Sequence, residues 1–490
     1  MKKLLAMLLL LAMLGTMLMA CNKDKEPTVT GGEETADGAD AYLPAAKAEY
    51  ENREYNVIFR DNYEYEWVYD ESNAGSHIND AIYKRNTAVE NRYKVLLNYI
   101  PVVATGAGVY ETNFLMPIQT AVLNGENAYQ LAAGYEYRLA YTSALGDFID
   151  WHSVDNVDLD SDWWDGKFAT AASYKNHTYV MTGSLSLSHL YSSSCMFFNE
   201  DLVNSKLENG SAEIFEAVEN GTWTLDTFYG YVKQFTSDDD GVEGMDENDS
   251  YGFATNDTTA VDAFMFCSNI SVSRRTDDGG IELYSVGNKL SDLASKLNDI
   301  INKSGNTYNL STSTVEGMDS HIGMIVRGKT AFNTGALQNA TTLRETTVNY
   351  GILPYPKYDE NQKNYYSITM DFSTAFAIPK TEQDDLDFVG TITEALAYYS
   401  DVYVKDALYS TVLKYRDAKD ADSSACIDLI LASPKYDFAY IYAYSWGDQQ
   451  GPTAMLRKCI RQKTDAISAL FQTQSSVFNT KLEDLLTQFK

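Results

Sequence analysis

Tyr55-Asn56-Val57-Ile58-Phe59 reads as a strand, and the residues after it decide the fold class. A polar, aromatic-rich loop covers residues 60–76. Ile78, Ile82, Val89 and Tyr93 then fall near one face of a helix, with Lys84, Arg85, Glu90 and Arg92 elsewhere on it. A second strand is expected over residues 95–100 and a third over 129–133, closed by Gly134. Strand, helix and strand at this spacing give an α/β domain with parallel pairing.

The same alternation continues. Residues 179–181 and 195–198 read as strands, with Gly183-Ser184-Leu185-Ser186-Leu187-Ser188 alternating between them. A helix starts after Trp223, with Thr224 as its N-cap and Asp226 in its first turn. Helical spacing returns near residues 290–301, and 328–335 give a turn, a short strand and a glycine stop. Strands at 350–353 and 374–378 end in Pro354 and Pro379, and residues 386–490 are mostly helical. A chain of 490 residues is too long for one ordinary core and suits two or three domains.

The N-terminus has its own logic. Lys2 and Lys3 precede an apolar run over residues 4–20, which describes a secretory signal. The run ends in Leu18-Met19-Ala20-Cys21 and resembles a bacterial lipobox, in which cleavage leaves Cys21 as a lipidated N-terminus. Residues 22–41 contain no aromatic side chain and too little apolar surface to fold, as a flexible tether requires.

Composition narrows the partners. The formal charge is -31, so the surface repels nucleic acid and anionic headgroups and favours neutral or cationic ligands. Thirty-six tyrosines and six tryptophans stand against five histidines. Such rings, apolar on the face and polar at the edge, suit an amphipathic, uncharged ligand such as a sugar, although many will be core. Besides Cys21, the cysteines Cys195, Cys267, Cys426 and Cys459 form no C-x-x-C pair and lack zinc spacing, so buried single thiols are expected. There is no G-x-S-x-G elbow, H-E-x-x-H motif or phosphate-binding glycine loop, and no cofactor is expected.

The ordered set of lipobox, tether, α/β body, Trp223 with its helix, Gly328-Lys329-Thr330-Ala331-Phe332, residues 350–356 and 376–379 resembles a family. It is similar to the family 1 extracellular solute-binding lipoproteins of ABC importers, of the carbohydrate-binding type in Gram-positive bacteria. Ile78-Asn79-Asp80-Ala81-Ile82-Tyr83, Trp163-Trp164-Asp165, Arg416-Asp417 and Tyr436-Asp437-Phe438 fit a clostridial branch. The resemblance implies an α/β, two-lobe periplasmic-binding-protein-like fold (type II), with a cleft between hinged lobes. Chain crossings are then expected near residues 183–194, 365–372 and 434–444. The division is a signal peptide over 1–20, lipidated Cys21 and tether over 21–48, first lobe over 49–185, second lobe over 186–367, first lobe again over 368–434 and second lobe over 435–490. The family captures a solute by lobe closure and hands it to a membrane permease, without catalysis. The expected setting is the outer face of the cytoplasmic membrane, held by the N-terminal lipid, as a monomer.

Ligands of open α/β sheets bind beyond the carboxyl ends of the strands. That rule selects Trp67, Tyr135 and Trp446 as aromatic platforms and Glu66, Glu136, Asn333 and Asp371 as hydroxyl contacts. Each has a duller reading: Trp67 can pack over its loop and Trp446 can cap the last helices. Trp163 and Trp164, being adjacent, are expected to point opposite ways in an extended segment. His189 alone reads as a local hydrogen-bonder. The acidic loop over residues 236–247 puts Asp238, Asp240 and Glu247 at calcium-loop positions, but Thr236 replaces the first acidic ligand, so a solvated loop is expected and no metal. Two rival classes are a glycoside hydrolase, needing two carboxylates across a cleft, and an adhesion lipoprotein without a transporter.

Overall fold

The computed structural model describes residues 41–489 apart from 107, 247, 285–286, 311–320, 410–412, 414–419 and 448–449. The signal, Cys21 and most of the tether lie outside the described residues, as does Glu247. The fold belongs to Pro44–Lys490, the larger of two compact units into which the chain divides. No helix among the described residues is long and apolar enough to cross a membrane.

Two main sheets carry the architecture. The first contains β1 (Glu54–Arg60), β2 (Leu96–Val102), β3 (Leu131–Tyr135) and a late strand, Thr374–Ala377, in the order late strand, β3, β1, β2. β1 pairs in parallel with both β2 and β3, as the strand–helix–strand pattern requires, and the late strand runs antiparallel to β3. β1 is buried along most of its length because helices cover both faces of the sheet. The helix Met116–Asn124 lies on one face, where Ile118 joins Ile58 and Ala132 in the core. The helices His77–Tyr93 and Leu386–Tyr399 pack together on the other, where the Tyr55 hydroxyl meets Thr393 Oγ1 at 2.5 Å. β2 is the edge strand, which is why it tolerates Pro101, and it runs two residues beyond the expected end.

The second sheet combines β4 (Ser194–Asn199), β5 (Tyr251–Thr255), Thr307–Asn309, Thr330–Ala336 and Tyr350–Leu353. The strand Thr330–Ala336 pairs antiparallel with β4 and parallel with β5. The helix Leu225–Phe235 packs on this sheet through Phe228, whose ring meets Phe253 at 5.0 Å and Phe332 at 5.7 Å. Thr224 caps that helix as expected, its Oγ1 accepting the Thr227 N–H at 3.3 Å. Trp223 is fully buried beside it and donates to the Pro354 carbonyl at 3.0 Å.

Several local expectations are corrected. Gly134 does not end β3; the strand runs through it to Tyr135. A Cβ there would lie 2.4 Å from the Tyr110 hydroxyl and 2.9 Å from Phe114, so close packing demands glycine. Gly335 likewise sits within its strand, where a Cβ would meet the Phe197 ring at 2.8 Å. Residues 179–181 form only a bridge, Met181 to Phe376. The Ser–Leu alternation becomes a short helix, Leu187–Tyr191, capped by Ser186 Oγ on the His189 N–H at 3.1 Å. Trp163 and Trp164 do not diverge: both are buried, and their indole N–H groups donate to Glu394 Oε1 at 3.0 Å and Oε2 at 2.8 Å. A turn, closed by Trp164 N–H on the Ser161 carbonyl at 3.0 Å, replaces the extended segment and brings them together.

The four described cysteines are buried free thiols. In the acidic loop Asp238 and Asp240 approach Asp249, their ligand atoms all within 4.8 Å. Asp249 is buried, and its two oxygens already accept the Asp239 and Asp246 N–H groups at 2.8 Å each, so its role is to close the loop.

Candidate functional site

β1 and β3 deliver their carboxyl ends side by side. Arg60, the last residue of β1, is fully buried with its guanidinium 3.7 Å from the Tyr63 ring centre and 3.8 Å from that of Tyr135. Its Nη2 donates to the Phe372 carbonyl at 3.1 Å and to Thr374 Oγ1 at 3.0 Å. Cation–aromatic stacking and charge-assisted bonds thus tie the ends of β1 and β3 to the segment entering the late strand.

Beyond Tyr135 the helix Glu136–Thr142 presents Tyr137 and Arg138. Arg138 pairs with Glu111 at 2.5 Å, and the Tyr444 hydroxyl donates to the same carboxylate at 2.8 Å. The rings of Tyr137 and Tyr444 meet edge to face at 5.9 Å. Next to this wall is a cavity of about 270 Å³. Its lining includes Tyr137 from the helix after β3, Thr258 from the loop after β5, Asp371 from the segment between the sheets, and Tyr440, Thr453 and Arg457 from the C-terminal region. It lies beyond the carboxyl ends of β3 and β5, where α/β sheets place ligands.

Arg457 is the charged anchor. It forms a bidentate pair with the fully buried Asp262, through Nε at 2.7 Å and through Nη2, and its Nη2 stands 3.9 Å from Asp371 Oδ2. The Tyr440 hydroxyl on the same cavity wall is buried and lacks a hydrogen-bond partner among the described residues. Guanidinium, phenol and threonine hydroxyls, one carboxylate and an aromatic edge are the groups that hold a polyhydroxylated, uncharged molecule.

The residues selected from sequence fall in two places. Asp371 lines the cavity, with Glu136 and Tyr135 beside the wall that carries Tyr137. Glu136 is buried, and its Oε2 accepts from Ser373 Oγ at 2.7 Å. Tyr135 is half-buried and spends one face on Arg60. The other four sit in packed interior. Trp67 is fully buried against Phe59, Tyr99 and Phe376, with ring centres 6.1, 5.7 and 6.0 Å away. Glu66 is buried, accepting from the Ser188 N–H and from Thr374 Oγ1. Asn333 is buried against Thr330 and the His321 carbonyl. Trp446 donates to the Phe478 carbonyl at 3.0 Å and packs against Gly451. Sequence reading passed over Thr258, Tyr440 and Arg457. One signal was present: Asp262 is a lone charge in an otherwise apolar helical stretch, Thr259–Cys267, and such a charge needs a partner.

Burial pushes the carboxyls of Glu136, Glu382 and Glu394 each up to about 7. Their folded values therefore lie above the unfolded one, so their contribution to stability is complete below about 4.5 and is lost as pH rises through about 7. Asp165 works the other way. Burial opposes its ionisation, but hydrogen bonds from His189 and Tyr436 outweigh that and hold it at about 2, so its contribution disappears only as pH falls toward that value. The melting temperature is expected to be higher near pH 5 than near pH 8. A scanning-calorimetry series that stays flat or rises across that interval contradicts this account.

No protein-family model matches the chain, and no curated protein matches it. Solved structures do. The acarbose-binding GacH receptor of Streptomyces glaucescens superposes with a TM-score of 0.55 at 10% identity, over 88% of this chain and 99% of its own. The maltose/maltodextrin-binding domain of Bdellovibrio bacteriovorus, bound to maltotriose, gives 0.54 at 12% identity, over 89% and 100%. An ABC substrate-binding protein from Listeria monocytogenes, in complex with cycloalternan, gives 0.51 at 13%, over 89% and 98%. The chain has the two-lobe α/β fold of these binding proteins.

Proposed function

We propose that this chain is the solute-capturing component of an ABC importer and that its solute is a sugar or oligosaccharide. The observation that carries the reading is the cavity where Tyr137, Asp371, Tyr440 and Arg457 meet, with residues drawn from both ends of a chain that folds as the carbohydrate-binding proteins do. Asp371 is the one carboxylate lining it among the described residues, which favours capture over glycoside hydrolysis, a reaction that uses two. In this reading the first lobe comprises residues 49–185 and 368–434 and the second 186–367 and 435–490. Closure sandwiches the sugar between Tyr137 of the first lobe and the Arg457 anchor of the second. Cys21 carries the lipid, and the tether lets the body reach a permease at the outer face of the membrane.

The test is calorimetric titration of the soluble body with maltotriose, β-1,6-galactobiose and related neutral sugars, followed by analysis of the sugar recovered. Tyr137→Ala and Tyr440→Phe are each expected to weaken binding by about 1–3 kcal/mol with the melting temperature little changed. Cleaved sugar would transfer the site to the hydrolases. Affinities unmoved by both substitutions would place the solute elsewhere.

A further inference from the structure

Three segments run between the two sheets, and they meet at one place. The Ser194 N–H donates to the Ile368 carbonyl at 2.8 Å, and the Met370 N–H to the Ser192 carbonyl at 3.0 Å. The Ser367 N–H donates to the Ser433 carbonyl at 3.1 Å, and the Lys435 N–H to the Ser367 carbonyl at 2.8 Å. The three segments are thereby joined by backbone bonds, with nothing in that pairing to hold them to the first sheet's layer. Backbone bonds do that in part, as from the Ser184 N–H to the Trp163 carbonyl at 2.8 Å, and side chains add to them.

Asp165 caps the helix Gly166–Ala172, its Oδ1 accepting the Phe168 N–H at 2.9 Å. Its Oδ2 receives His189 Nε2 at 3.1 Å and the Tyr436 hydroxyl at 2.6 Å, and that hydroxyl lies 2.9 Å from the same His189 nitrogen. His189 belongs to the first linking segment and Tyr436 to the third. The imidazole stacks on the Tyr436 ring at 6.1 Å, and Phe168 closes the cluster edge-on at 5.5 Å from Tyr436. The second segment is held by Glu136, whose N–H donates to the Ser373 carbonyl at 3.0 Å and whose carboxylate accepts Ser373 Oγ at 2.7 Å. So one carboxylate grips the first and third segments and another grips the second.

We infer that Asp165 and Glu136 form a two-carboxylate latch that, beside Glu66 on the Ser188 N–H, holds the three linking segments to the first lobe and makes lobe opening respond to pH. The inference rests on the two-lobe capture reading and supplies its regulation. Glu136 faces His189 from the first segment, Asp371 from the second, Tyr436 and Tyr440 from the third, and Asp165 from its own lobe. Outside, Asp160, Asp162, Lys167 and Lys405 share with His189 the crevice that opens on the cluster. His189 Nδ1 is buried without a hydrogen-bond partner among the described residues. With Glu136 neutral, two fewer like-charge repulsions oppose Asp165 and Asp371. With Glu136 ionised, the three carboxylates rely on His189 and Tyr436 to stay together.

The test uses the full chain without solute. Small-angle scattering should give a radius of gyration that differs between about pH 6 and about pH 8, and Glu136→Gln should abolish the difference. Asp165→Asn should speed amide exchange about tenfold or more in residues 187–194 and 433–438 while β1 and β3 stay protected, with a smaller effect from Tyr436→Phe. Ser373→Ala, the milder change, should blunt the pH response if Glu136→Gln does not fold. A pH response that survives both Glu136→Gln and Ser373→Ala overturns the latch, as does exchange in those segments within twofold of the parent in Asp165→Asn. Adding maltotriose separates the two ideas. Compaction by sugar without any pH response leaves capture standing and removes the latch. A pH response with no compaction by any sugar keeps the latch and removes sugar capture.

Discussion

Arg457→Ala should cost about 3–5 kcal/mol of stability and abolish solute binding together. The stability loss comes from Asp262, which is fully buried and would keep its charge or take up a proton with its main partner gone. The binding loss comes from the cavity wall, where the guanidinium faces Asp371 at 3.9 Å. A single substitution cannot separate the two, but a pair can. Replacing both partners, as Asp262→Leu with Arg457→Met, removes the uncompensated charge, and buried ion pairs exchanged for apolar side chains of similar size are often neutral or better. The double variant should therefore melt near the parent in urea while failing to bind in the calorimeter. If it binds maltotriose or any other sugar hit as the parent does, Arg457 is a structural residue and the anchor lies elsewhere.

Trp67→Ala should destabilise the fold by about 3–5 kcal/mol, the range for deleting a large buried ring. Its ring touches Phe59 from β1, Tyr99 from β2 and Phe376 from the late strand, so the cavity would open beneath three strands of one sheet. The neighbouring backbone has little room to collapse. Arg85 donates to the Glu66 carbonyl at 2.9 Å, and Asn86 to the Trp67 carbonyl at 2.8 Å, pinning the turn from the helix His77–Tyr93. Trp67→Phe should be much milder, because it keeps most of the apolar contact and removes an indole N–H that has no partner among the described residues. The decisive measurement pairs urea melts with sugar titration. A Trp67→Ala protein as stable as the parent but unable to bind would restore Trp67 as a sugar platform.

These two residues show where sequence reading succeeded and where it stopped. The first α/β unit was legible because its signals are local: a five-residue strand-like run, a helix-period face and a second such run. The Thr224 cap was legible for the same reason, since a capping hydroxyl acts within three residues of itself. Gly134 and Gly335 misled because a glycine signals a stop by its backbone freedom, whereas here both serve rings from distant segments that would strike a Cβ. Trp67 and Trp446 carried the right chemistry for a sugar platform, but sequence does not say which face of a loop is outward.

The sequence by itself determined the class of fold, the parallel pairing of β1 with its neighbours, the acidic surface and the buried thiols, because periodicity, composition and charge are properties of short windows or of the whole sum. Only the tertiary structure decided the cavity and the meeting of the three linking segments. Asp262 and Arg457 are 195 positions apart, and Asp165 and Tyr436 are 271 apart. No window contains either pair. What joins them is the return of the chain between two sheets, whose burial energy is spread over the whole core and is encoded at no single site.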